Sequence, residues 1–156
     1  MDRNRLGKLF DMSGRVVIVT PSLADANNGN WRTSERWRRF LAPRRPARLA
    51  TAWPDAQAAA DSVMIALHAR RSAAAIAAWH ARHGSARLAV VLTGTDLYRD
   101  IAADAAAQRS LELAGTLVVL QERGPLALPA ALRGKARVIF QSAVACRTPP
   151  RAQRHL

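Results

Sequence analysis

Residues 62–92 read SVMIALHARRSAAAIAAWHARHGSARLAVVL, and the order of residue types in this stretch decides the architecture. An aliphatic run (SVMIAL, 62–67) meets a polar, basic turn, His68-Ala69-Arg70-Arg71. An alanine-rich segment from Ser72 to His83 follows, Gly84 interrupts it, and a second aliphatic run (LAVVL) occupies 88–92. Continuous apolar runs, without polar alternation, belong to strands covered on both faces. The segment between them suits a helix that carries Ile76 and Trp79, with Ser72 as N-cap and Gly84 as the C-terminal stop. Strand, helix and strand within about thirty residues make one βαβ unit.

The same grammar extends in both directions. Residues 15–20 (RVVIVT), 116–120 (TLVVL) and 136–140 (ARVIF) are further strand candidates, and 48–52 (RLATA) is a less apolar one. Residues 33–41 suit a helix with Trp37, Phe40 and Leu41 along one side. A helix is expected over 103–114, after Asp100 and before Gly115, and 126–132 is limited to one or two turns by Pro129. Alternating strands and helices predict an α/β domain, a Rossmann-like doubly wound parallel sheet with right-handed crossovers. Residues 14–142 form this body, 1–13 an extension with little patterning, and 143–156 a Pro/Arg-rich linker or tail.

The chain's 156 residues, 49% of them apolar, are one domain's worth. A domain of about 150 residues buries roughly 70% of its unfolded surface, so a core forms without disulfides or metal. Cys146 is the single cysteine, which excludes an internal disulfide and a thiolate cluster and points to the reducing cytoplasm. No uncharged stretch approaches the ~20 residues of a bilayer span, and no apolar run before Arg15 resembles a secretory signal. The net charge is +13, from 24 Lys+Arg of which only Lys8 and Lys135 are lysine. Arginine and alanine enrichment of this kind is what a GC-rich coding sequence produces, so nucleic acid is not the expected partner despite the charge. His80 and His83 lie three apart but lack a nearby carboxylate or cysteine, so no metal is expected. The four tryptophans read as packing residues.

Ligands of an open parallel sheet bind beyond the carboxyl ends of its strands. After the first strand, Asn28, Gly29 and Asn30 lead into a helix start bearing Arg32 and Thr33; free amides, a guanidinium and a hydroxyl suit an anion. The segment is neither GxGxxG nor a Walker A loop, which disfavours dinucleotides and P-loop chemistry. After the 62–67 strand, His68 precedes Arg70 and Arg71, again at a helix start. After the 88–92 strand, Thr93, Gly94, Thr95 and Asp96 set two hydroxyls and a carboxylate around a glycine, a pattern able to grip a phosphorylated or hydroxylated ligand. Each segment alone also reads as an ordinary capped turn. Their convergence on one sheet edge favours a small phosphate-bearing ligand over a long nucleic-acid track.

Several of these blocks together resemble a known family. They are the strand at 15–20 with Pro21; Asn28-Gly29-Asn30 with Thr33 and Arg36-Trp37; Ala66-Leu67-His68-Ala69-Arg70-Arg71-Ser72-Ala73; and Leu92-Thr93-Gly94-Thr95-Asp96-Leu97-Tyr98-Arg99-Asp100. To these add Arg109-Ser110-Leu111-Glu112-Leu113-Ala114 and Val138-Ile139-Phe140-Gln141-Ser142-Ala143. Over roughly residues 14–143 the sequence resembles the amino-terminal half of the selenosugar synthases of selenoneine biosynthesis, GT-B glycosyltransferases related to glycosyltransferase family 4.

The resemblance implies the acceptor-side lobe of a two-lobed enzyme that transfers a sugar from a UDP-sugar to selenophosphate, with no cofactor. It implies catalytic parts for His68 and Asp96, in orientation or charge stabilisation, and acceptor binding by the residues named above. The sequence departs from the family at 42–48, where Pro43 and Pro46 replace a short glycine-containing turn, and in the added residues 1–13. It ends at Leu156, where a donor-binding lobe is expected, so the chain is expected to be inactive alone, with a separate polypeptide as one source of that lobe. The reading that competes with it is a non-catalytic basic α/β module that binds a phosphorylated metabolite or RNA.

Overall fold

A computed structural model describes residues 14–22 and 29–141. Six strands form its sheet: β1 (Arg15–Val19), β2 (Ala47–Ala50), β3 (Asp61–Leu67), β4 (Leu88–Leu92), β5 (Thr116–Val119) and β6 (Ala136–Val138). Their spatial order is β2-β1-β3-β4-β5-β6 and every neighbouring pair is parallel. Among the described residues the longer helices are α1 (Gly29–Leu41), α2 (Ala73–His83) and α3 (Ala105–Leu113). This is the expected α/β, Rossmann-like doubly wound sheet. The extension 1–13, Asn28, Cys146 and the tail 143–156 lie outside the described residues.

Alternate residues of each strand serve opposite layers. Val17, Val19, Met64, Ala66, Val90, Leu92, Leu117 and Val119 pack with Ile76 and Trp79 of α2 and with Leu111 of α3. Val16, Ile18, Val91 and Val118 point the other way, towards Trp37 and Leu41 of α1. Full burial of side chains such as Ile76, Ile18 and Met64 stabilises the fold by ~1.5–3 kcal/mol each. Gly84 ends α2 at φ 70°, where a β-carbon is disfavoured, and its amide donates to His80 O.

Several local expectations are corrected. Helix and strand do not alternate throughout: β2 and β3 are joined by residues 51–60 with one short 3-10 turn (Ala58–Ala60). That link is held by polar contacts instead of a helix. Asp61, its side chain fully buried, accepts from Arg15 Nε at 2.9 Å and from Trp53 Nε1 at 3.2 Å, and pairs with Arg48. Trp37, Phe40 and Leu41 do share one side of α1, but Phe40 is 58% exposed at its rim. Ser72 does not cap α2 with its side chain; its hydroxyl donates to Leu67 O at 2.6 Å. Asp104, not Asp100, leads into α3, its carboxylate accepting Ala107 N–H at 2.8 Å. Residues 126–132 fall into two 3-10 turns, Gly124–Ala127 and Ala130–Lys135. α1 begins four residues before the periodic segment, since its first turn buries nothing apolar that a pattern would register.

Candidate functional site

The strand order places β1 beside β3, with β2 outside one and β4 outside the other. Successive connections leave these two central strands in opposite directions, and the crevice beyond their carboxyl ends is the usual ligand position of such a sheet. His68 follows β3 directly. Its backbone is left-handed (φ 71°), a conformation that a non-glycine residue holds only where its surroundings enforce it. Here they do so. His68 N–H donates to Val91 O at 2.9 Å, His68 O accepts from Ser72 N–H at 3.0 Å, and the ring is buried.

Asp96 begins a π-helical turn (Asp96–Asp100) that continues into Ile101–Ala103. Its fully buried carboxylate faces inward and accepts three backbone amides: Ala69 N–H at 3.0 Å, Thr93 N–H at 2.9 Å and Gly94 N–H at 3.1 Å. One side chain therefore ties the loop after β3 to the loop after β4. Gly94 bends between them at φ 126°, a backbone open to glycine and strained for other residues. Ser110 of α3 adds a second tie, donating to Ala69 O at 2.8 Å.

Charge is organised around Asp100. Arg70 Nε approaches its carboxylate at 3.0 Å and Arg99 Nε at 3.3 Å, while His68 Nε2 stands 3.9 Å away, beyond hydrogen-bond reach. Burial pushes the Asp100 carboxyl up, but Arg99 and Arg70 outweigh it and hold the group below its ordinary value. Burial pushes the His68 imidazole down, Arg71 and Arg70 act in the same direction, and Asp96 and Asp100 oppose them. The net direction is down, so His68 is neutral at pH 7. Its Nδ1 faces Arg71 N–H at 3.4 Å, which assigns the proton to Nε2. Arg71 is exposed and makes no ion pair among the described residues.

The other site residues are distributed around this centre. Gly29 and Asn30 form the first turn of α1, Arg32 is exposed on it, and Thr33 is buried beneath. Thr33 Oγ1 accepts from Gln141 Nε2 at 2.8 Å. Gln141 also lines a crevice with Thr93, Gly94, Tyr98 and Gln121, which links α1 to the loop after β4. Thr95 is exposed on the turn above Asp96. The sequence reading gave no role to Asp100 or Gln141. Asp100 carried a usable signal, four residues after Asp96 and hence one helical turn on; Gln141 carried none.

The assembled edge offers the exposed Thr95 hydroxyl and the Arg71 guanidinium to an anion, with a neutral imidazole close by. Among the described residues no cluster of three His, Cys, Asp or Glu side chains is arranged to hold a metal, and no helix is long and apolar enough to cross a membrane. No protein-family model matches the chain, and no curated protein matches it.

Proposed function

We propose that this chain is the acceptor-side lobe of a selenosugar-synthase-like glycosyltransferase of the cytoplasm, holding selenophosphate while a sugar reaches it from a UDP-sugar. The observation that supports this most is the Asp96 clamp. It fixes the His68–Arg71 and Thr93–Thr95 segments as one rigid edge, with Arg71 free of any carboxylate partner among the described residues. The exposed Arg71 guanidinium at this edge suits a phosphate-like dianion.

In the reaction a selenium lone pair attacks the anomeric carbon. The carbon–selenium bond forms as the bond from that carbon to the UDP oxygen breaks, and UDP carries away the electron pair. An already anionic nucleophile needs positioning and charge balance more than a base. Arg71 supplies charge, His68 donates from Nε2, and Asp96 acts through the loops it holds. Donor contacts belong mostly to a second lobe, from a continuation of the chain or a separate polypeptide.

Calorimetric titration of the chain with selenophosphate and with inorganic phosphate tests this reading. Saturable binding that Arg71→Ala weakens is expected, with no selenosugar detected by mass spectrometry when a UDP-sugar is added to the chain alone. Absence of binding by both anions, or binding indifferent to Arg71, sinks the proposal.

A further inference from the structure

The two faces of the sheet are not equally covered. Among the described residues α2 and α3 close one and α1 packs on the other, where Val63, Ile65 and Leu120 are only partly buried. Beyond α1 the segment leaving β6 exposes Ile139 (46%) and Phe140 (68%), opposite Phe40 on α1. With Trp37, Leu41 and Ile65 these side chains line a single groove of about 290 Å³. A contiguous apolar groove with polar margins marks an interaction surface. Strands as apolar as these belong to sheets covered on both faces, and helices are what cover them.

The charge around the groove selects its occupant. α1 carries Arg32, Arg36, Arg38 and Arg39 against a single acid, Glu35, which Arg38 and Arg39 already share at 2.7 and 2.8 Å. Arg44 and Arg45 follow α1, and Arg137 precedes Ile139, whereas Lys135 is turned to the carbonyls at the end of α3. No acidic residue occurs from Arg36 to Pro54, or anywhere after Glu122. The chain's own residues 1–13 and 142–156 thus carry a positive balance (Arg3, Arg5 and Lys8 against Asp2 and Asp11; Arg147, Arg151 and Arg154 against no acid), and a second copy brings a further +13. Both meet like charge, which opposes docking.

We infer that this groove docks an acidic amphipathic helix from another polypeptide. Its apolar stripe sits on Phe40, Ile139 and Phe140, and its carboxylates face the arginines of α1 and Arg137. This is the helix-in-groove mode, in which side chains at i, i+3, i+4 and i+7 are the anchors. It involves the α1 face of the sheet and does not depend on the ligand at the strand ends.

The test is fluorescence anisotropy with the full chain and a labelled designed peptide of about four helical turns, with leucine at those anchor spacings and glutamate elsewhere. Two control peptides are a scrambled version and one with lysine for every glutamate. The patterned acidic peptide is expected to bind at least about tenfold more tightly than either control. Phe40→Asp and Phe140→Asp, on opposite walls, should each weaken it about tenfold while thermal melting stays unchanged, since both side chains are exposed. Equal binding of the scrambled peptide, or indifference to both substitutions, overturns the inference. So does self-association in sedimentation that Phe40→Asp abolishes, because it assigns the groove to a second copy.

Discussion

Asp96 Oδ2 accepts the Ala69 amide at 3.0 Å across 27 residues of sequence, and this bond makes the loops after β3 and β4 one unit. The carboxylate's other oxygen takes Thr93 and Gly94, so one buried anion satisfies three amides. Removal leaves those donors buried without partners. Asp96→Ala is expected to lower unfolding free energy by about 2–4 kcal/mol in urea titrations, and Asp96→Asn by less, since its amide oxygen still accepts. A loss below about 0.5 kcal/mol for the alanine variant would show that the clamp is dispensable.

His68 ties stability to pH. Its folded pKa lies below its unfolded value of about 6.5, so the unfolded chain takes up the proton first as pH falls. Stability from this group is therefore complete above about pH 6.5 and declines below it. Asn tolerates the left-handed backbone and does not titrate, so His68→Asn should flatten urea midpoints between about pH 7 and pH 5. The paired carboxylates act in a separate window. Asp61 and Asp100 are lowered and Glu35 is held at about 2 by Arg38, so their contribution is present above the ordinary carboxylate range and disappears as pH falls towards the folded values. A His68→Asn slope equal to that of the parent protein above pH ~5 would remove His68 from the account.

Arg70 and Arg71 are neighbours with different duties. Arg70 serves Asp100, whereas Arg71 has no carboxylate among the described residues. Arg71→Ala should leave melting unchanged and cost about tenfold in phosphate affinity, read by calorimetry. Arg70→Ala should instead let the Asp100 carboxyl and the His68 imidazole both rise, visible in an NMR titration of the histidine ring. Identical behaviour of the two variants would erase the distinction.

Thr33 and Gln141 meet at 2.8 Å although they are 108 positions apart in the chain. A double-mutant cycle with Thr33→Val and Gln141→Leu should give a coupling energy of about 0.5–1 kcal/mol in denaturant melts. Strict additivity would mean that the bond contributes nothing to stability.

The parallel α/β architecture was legible because apolar runs such as 88–92 and the helix from Ser72 to His83 are local patterns that the fold merely aligns. The strand ends, and with them His68 and Thr93–Asp96, followed from that alignment. The β2–β3 link was not legible, since its order rests on Asp61 meeting Arg15, Arg48 and Trp53 through space. For the same reason Asp100 went unassigned: an aspartate after a strand looks the same whether it caps a helix or receives two arginines.

By itself, then, the sequence determined the class of fold, the edge of the sheet where polar residues gather, and an arginine-rich balance of +13. These depend on composition and on short-range periodicity. Tertiary structure alone decided that Asp96 turns inward as a clamp, that Gln141 reaches Thr33, and that Phe40 and Phe140 share a groove. Each is a meeting of residues distant in the chain, and such meetings exist only once the strands have taken the order β2-β1-β3-β4-β5-β6.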